Sequence, residues 1–218
     1  MTPLASVPRD LSLHTTLRGY WSEVARVAAT IDLASLEDAA MALLSCQARG
    51  RVVFAAGNGG SAATASHFAC DLAKGTRRDG PPTFHVMALT DNVPLLTAWA
   101  NDTGYERVFA EQLASLAQPG DVLVAISASG NSPNVLAAAE RARARDLVSI
   151  GLTGRTGGRL ASLVDIVVRA PSDRIEVVED AHLIVAHSLC VAARERLAAC
   201  AHDEIIAQAA IPSRRTGR

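Results

Sequence analysis

Five short, nearly continuous apolar runs constrain this chain more than any other feature. They fall at 51–56, 84–89, 121–126, 147–152 and 165–169. Each is too short for a typical helix, and none alternates apolar with polar residues like a strand with one wet face. Continuous runs of this kind mark strands covered on both faces, which are the strands of parallel sheets packed between helices. The stretches between them agree. Residues 61–74, 106–117 and 133–145 are rich in Ala and read as helices. Strand therefore alternates with helix, as in an α/β fold built on a parallel sheet.

Two amphipathic helices are expected before the first strand. Residues 13–31 carry Leu17, Trp21, Val24, Ala28 and Ile31 at spacings of three and four. Residues 33–49 carry Leu36, Ala40, Leu43, Leu44 and Cys46, and Gly50 ends the pattern. With no strand ahead of them, they must pack on a later layer or on another subunit. A long last helix is expected over 176–201, and 211–218 reads as a frayed end. No repeat or low-complexity linker divides the chain. The expected organisation is one domain over 1–218, with packing and oligomerisation helices in 1–50, a core in 51–201 and a tail in 202–218.

Composition removes several classes of function. Hydrophobic residues make up 49% and charged residues 20%, which excludes a disordered chain. Lys+Arg number 21 against 22 Asp+Glu, so no excess of positive charge is present to hold nucleic acid. At 4% aromatic residues, base-stacking platforms are not expected either. No window offers the roughly 18 apolar residues of a membrane helix. The N-terminus has no apolar stretch of the secretory type. Cys46, Cys70, Cys190 and Cys200 form no CxxC pair and read as buried free thiols. A cytoplasmic location, with no nucleic-acid or membrane partner, is the expectation.

Chemistry is concentrated in two loops. In open parallel sheets, ligands bind beyond the carboxyl ends of the strands. The first strand runs into Gly57-Asn58-Gly59-Gly60-Ser61 and then a helix. The third runs into Ser127-Ala128-Ser129-Gly130-Asn131-Ser132-Pro133 and then a helix. Glycines permit sharp turns and close approach to a ligand. A helix N-terminus offers unpaired N–H groups and partial positive charge, and serine hydroxyls donate to oxyanions. One phosphate can be held this way without Lys or Arg. A single helix cap would need only one side chain, which three serines within six residues exceed. Gly57-x-Gly59-x-x-Ala62 also matches the dinucleotide fingerprint. That reading leaves the serine-rich loop unexplained, and Asp91 lies more than thirty residues past Gly57, against the usual distance of about twenty.

A second set of groups accompanies the loops. His67 and Asp71 are four apart on the helix opening at Ser61, so they share a face. Glu176, Glu179, Asp180, His182 and His187 lie along the first turns of the last helix. A His/carboxylate pair from each helix suits a divalent metal such as zinc and equally suits general acid–base work. A solvated face and favourable charge at a helix N-terminus are the plainer readings. His182 and His187 are five apart and cannot both face the same way, so one of them is structural.

These residues together resemble the sugar-isomerase (SIS) domain family, and within it the phosphoheptose isomerase group. The resemblance rests on Gly57-Asn58-Gly59-Gly60-Ser61, His67-Phe68-Ala69, Asn101-Asp102, Gly120-Asp121-Val122-Leu123, and 126–135 around Ser127, Ser129 and Ser132. It continues through Leu152-Thr153-Gly154, Gly157-Gly158, His182 and His187, and covers about 15–197. It implies a three-layer sandwich with a five-stranded parallel sheet flanked by helices. A homotetramer is implied as well, with active sites built from more than one subunit. In the family, positions matching Ser61, Ser127, Ser129 and Ser132 hold a sugar phosphate, the loop of Gly59 and Gly60 contributes to that site, and Asn58 and Asp91 match positions near the sugar. His67, Asp71, Glu179 and His187 match the metal ligands, with zinc as the implied ion, and Asp71 and His187 match the acid/base pair. The implied reaction is aldose–ketose isomerisation of sedoheptulose 7-phosphate, through an enediol. Three positions depart from the family: Asp71 stands for Glu, Glu179 for Gln and Ala128 for the common Thr. Spacing alone puts Asp180 on the His187 face, whereas the family pattern selects Glu179. A non-catalytic phosphosugar-binding or protein-binding SIS regulator, and an isomerase of another sugar phosphate, are the competing readings.

Overall fold

A computed structural model describes residues 11–77 and 83–209. Helices α1 (Leu11–Ala29) and α2 (Leu33–Ala48) precede β1 (Val52–Ala56). Then come α3 (Gly60–Cys70), a π-helical turn (Asp71–Gly75), β2 (His85–Ala88), α4 (Val93–Thr103), α5 (Val108–Leu116) and β3 (Val122–Ser127). The chain continues through α6 (Pro133–Ala144), β4 (Val148–Gly154), β5 (Ile166–Ala170) and α7 (Ile175–Ala209). All five expected strands are present. The sheet is fully parallel, in the order β2-β1-β3-β4-β5.

Alternate strand residues feed two separate cores, which makes the molecule three-layered. Val53, Ala55, Val122, Val124 and Ile126 face α1, α2, α3 and α7. Phe54, Ala56, Leu123 and Ala125 face α5 and α6. Because β1 leads to β2 on one side and β3 lies on the other, the order reverses between β1 and β3. The loops leaving their carboxyl ends diverge there and open a crevice, the standard ligand position in such sheets. Asp121, itself buried, ties the strand starts together. Its Oδ1 accepts from the Val52 N–H at 2.9 Å and its Oδ2 from the Gln118 N–H at 2.7 Å.

Several expectations need correction. Helix α4 has no counterpart among the helices read from the sequence. It buries no residue fully, so apolar periodicity carries little of its signal. Its start is chemical instead: Asn92 caps it by accepting from the Leu95 N–H, with Pro94 in the first turn. β2 is not covered on both faces, since His85 and Met87 are exposed on this edge strand. Cys70 is an exposed thiol, unlike the buried Cys46 and Cys190. Burial raises the Cys46 thiol to about 11. Helix α7 continues past residue 201 to Ala209, while the frayed end expected at 211–218 lies outside the described residues. Among the described residues, no helix is long and apolar enough to cross a membrane.

α1 is tied to the start of α7. The Tyr20 hydroxyl donates to the Asp180 carboxylate, and Ser172 donates to Glu23 at 2.6 Å. The Arg174 guanidinium lies 5.2 Å from the centre of the Tyr20 ring.

Candidate active site

The two loops meet in the crevice between β1 and β3. Gly59, at φ 54°, precedes α3, and no side chain caps that helix. Ser132 precedes α6, and its side chain makes no cap bond either. It turns instead toward Ser127, with Oγ to Oγ at 3.1 Å. The Ser129 hydroxyl lies 3.5 Å from Ser127. Three hydroxyls and two helix N-termini without side-chain caps thus converge on one cavity of about 190 Å³, lined by Asn58, Ser61, Ser127, Ser129, Ser132 and Glu179 among others. Among the described residues, no Lys or Arg lines it. The donors it offers are serine hydroxyls, backbone N–H groups and helix ends, which suit a phosphate monoester.

Gly130 makes the serine loop possible. Its φ is 65°, and a Cβ there would collide with the Gly157 carbonyl. The loop after β4 packs against it through bonds from the Gly154 N–H to the Ala128 carbonyl (2.9 Å) and from the Leu160 N–H to the Gly130 carbonyl (2.9 Å).

The imidazole and carboxylate groups gather further along α3 and α7. His67 Nε2 and His187 Nε2 are 2.9 Å apart. Asp71 Oδ2 lies 3.1 Å from His67 Nε2 and 3.5 Å from His187 Nε2. These three residues form a group whose donor atoms could hold a metal ion. They are roughly half exposed, at 47%, 36% and 49% for His67, Asp71 and His187, so a substrate or an ion can reach them. Cys190 is close enough to feel the Asp71 charge. Burial and then that charge raise its thiol to about 12, so it stays protonated and offers no thiolate.

Glu179 stands between these two sets. Its carboxylate lies against Gly60, where a Cβ would collide with it. It lines both the phosphate-type cavity and a neighbouring one that includes Gly60, Thr64 and His67. It is not part of the three-residue group around Asp71. Asp180, the alternative by spacing, also lines the cavity that reaches His67 but not the one formed by the serine loops, and its carboxylate accepts from the Tyr20 hydroxyl. His182 is the structural histidine of its pair. It is buried beneath β4, with Nε2 3.1 Å from the Thr153 carbonyl. Burial lowers its pKa to about 4, against the opposing effect of that hydrogen bond. Its Nδ1 and the Thr153 hydroxyl have no hydrogen-bond partner.

Asp91 does not line the serine-loop cavity. It accepts from the hydroxyls of Ser66 and Thr90 and lines a different cavity with Cys70, Met87 and Leu95. Two residues with no role read from the sequence enter the crevice network: Asn134 and Tyr105 both bond to Asn58. Asn134 follows the serine loop directly, so its position was a signal. Nothing in the sequence brings Tyr105 to β1.

A parallel sheet with a serine-rich anion cradle at its reversal point is the architecture of a sugar-phosphate-handling α/β domain. The SIS-domain family model matches residues 19–154. A phosphoheptose isomerase from Alteromonas mediterranea is 42% identical over 158 residues, 71% of this chain and 79% of the relative. One from Nitratidesulfovibrio vulgaris is 45% identical over 143 residues, 66% of this chain and 68% of the relative. Phosphoheptose isomerase GmhA from Neisseria gonorrhoeae superposes with a TM-score of 0.78 at 34% identity, covering 84% of this chain and 99% of that one. The chain belongs to the phosphoheptose isomerase family of SIS-domain proteins.

Proposed function

We propose that this chain is an aldose–ketose isomerase that converts sedoheptulose 7-phosphate to D-glycero-D-manno-heptose 7-phosphate. The observation that carries the proposal is the placement of Glu179 on the walls of two neighbouring cavities, one formed by the serine loops and one reaching His67. One surface thus offers an anion cradle at one end and acid/base groups at the other, as a phosphosugar needs. The serine loops would grip the phosphate and supply remote binding energy that orients C1 and C2. Asp71 and His187 would then move the proton between these carbons through an enediol.

The donor set suits zinc. Four-coordinate zinc with bonds of about 2.0–2.1 Å sets its ligands roughly 3.3 Å apart. The separations among His67 Nε2, His187 Nε2 and Asp71 Oδ2 are 2.9, 3.1 and 3.5 Å. When bound there, zinc would polarise the sugar oxygen and stabilise negative charge on it. His67, Asp71 and His187 would hold it, with Glu179 as a further candidate ligand from α7. Asp71 Oδ2 is the oxygen that meets both imidazoles.

A homotetramer in the cytoplasm belongs to the same reading. Leu13, Leu17 and Trp21 form an exposed apolar stripe on α1, at spacings of four. Such a stripe suits burial between subunits, and the free thiols suit a reducing compartment. The test is to incubate the purified protein with sedoheptulose 7-phosphate, with zinc and after chelation, and follow the aldoheptose phosphate by NMR. No turnover in either condition rejects the proposal. Light scattering gives the assembly state.

A further inference from the structure

We infer that Asn134 and Tyr105 are positioning residues that, by clamping Asn58, set the spacing between the two halves of the phosphate cradle. The inference rests on the phosphate-cradle reading above. The cradle is assembled from two separate βα units, the β1–α3 loop and the β3–α6 loop. The side chains of Asn58 and Asn134 join them as a reciprocal amide pair. Asn58 Nδ2 donates to Asn134 Oδ1 at 2.8 Å, and Asn134 Nδ2 donates to Asn58 Oδ1 at 2.8 Å. The Tyr105 hydroxyl, from the turn before α5, donates to the same Asn58 oxygen at 3.1 Å.

The amide orientations follow from the network. The Val135 backbone N–H can only donate, and it meets Asn134 at 3.0 Å. The Asn134 atom facing it is therefore the oxygen, which turns Nδ2 toward Asn58 Oδ1. With both lone pairs of its oxygen and one of its two amide hydrogens engaged, Asn58 keeps a single side-chain N–H for a ligand. Most of its hydrogen-bonding capacity thus joins the loops. Asn134 is 2% exposed, so water cannot readily replace its bonds, and losing it leaves the Asn58 Nδ2 donor without its acceptor. Since positioned donors lose effect when displaced by about an ångström, a loosened clamp should weaken the phosphate grip while sparing proton transfer.

The test measures steady-state kinetics on the heptose phosphate, with inorganic phosphate as a competitive inhibitor. Asn134→Ala should raise KM and the phosphate inhibition constant together by about tenfold, with kcat within about threefold of wild type. In an Asn58→Ala background, the same substitution should add almost nothing, because Asn134 acts through Asn58. An unchanged KM and inhibition constant in Asn134→Ala, or effects that multiply fully in the double variant, overturn the inference. Should Asn134→Ala not fold, Tyr105→Phe is read instead. A rise of about threefold in both constants at an unaltered thermal midpoint supports the clamp, and no rise rejects it. Ser132→Ala is the control for the underlying reading. If it leaves phosphate inhibition intact, the cradle itself is misassigned and the clamp falls with it. If it weakens inhibition while Asn134→Ala does not, only the clamp is wrong.

Discussion

In the proposed reaction, Asp71 and His187 would serve both as binding and as reacting groups. One carboxylate oxygen faces two imidazole nitrogens at 3.1 and 3.5 Å. The serines of the phosphate cradle line a different cavity from His67, so the two functions should separate on mutation. His187→Ala should lower kcat by about 10²–10⁴ while inorganic phosphate still binds with wild-type affinity. Calorimetry of phosphate binding beside single-turnover kinetics checks this, and a parallel loss of both would mean that the groups are not separable. Glu179 is the residue where helical spacing and the family pattern disagree. Spacing along the helix favoured Asp180, but the Tyr20 hydroxyl claims that carboxylate, and Glu179 turns toward Gly60. Linear spacing cannot register a competing partner 160 residues away.

At the scale of elements, the site depends on loops whose backbone does what ordinary residues resist. Gly130 combines a left-handed φ of 65° with the Gly157 carbonyl beside its missing Cβ. Gly130→Ala should therefore destabilise the fold by at least about 2 kcal/mol and weaken phosphate binding, because the loop must retreat from the one it packs on. Urea unfolding with phosphate titration reads both effects. The attachment of α1 makes a second prediction. Tyr20→Phe deletes the bond to Asp180 in a half-buried setting and should cost about 1 kcal/mol. Faster hydrogen exchange confined to α1 would report it, whereas uniform loosening would point to a wider role. The strands were legible because their apolar runs are short and nearly continuous. Helix α4 was not, because it buries no residue fully, and periodicity detects only a face that is hidden from water.

Over the whole molecule, the buried His182 makes stability depend on pH. Burial holds its folded pKa at about 4, below the ordinary imidazole value of 6.5. The unfolded chain therefore binds a proton that the folded chain refuses throughout that window. Stability from this group is complete above about pH 6.5 and declines as pH falls toward 4, by roughly 3 kcal/mol in total. An NMR titration of the His182 ring with a midpoint near 4, beside urea unfolding between pH 7 and pH 4, checks the direction. A midpoint near 6.5 would contradict it.

Much of the site was legible in the same residues. The cradle serines, His67, Asp71 and His187 stood out as motifs because each needs a particular side chain close to a strand end or on one helix face. The sequence by itself determined the α/β class, the five strands and the two glycine- and serine-rich loops at strand ends, since these depend on local periodicity, glycine conformations and capping chemistry. Tertiary structure alone decided that the Asp180 carboxylate meets Tyr20, that Glu179 but not Asp180 lines the serine-loop cavity, that His182 is buried while His187 is open, and that Asn134 and Tyr105 converge on Asn58. Those outcomes depend on which groups from distant segments compete for the same partner, and only the packed fold brings such competitors within bonding distance.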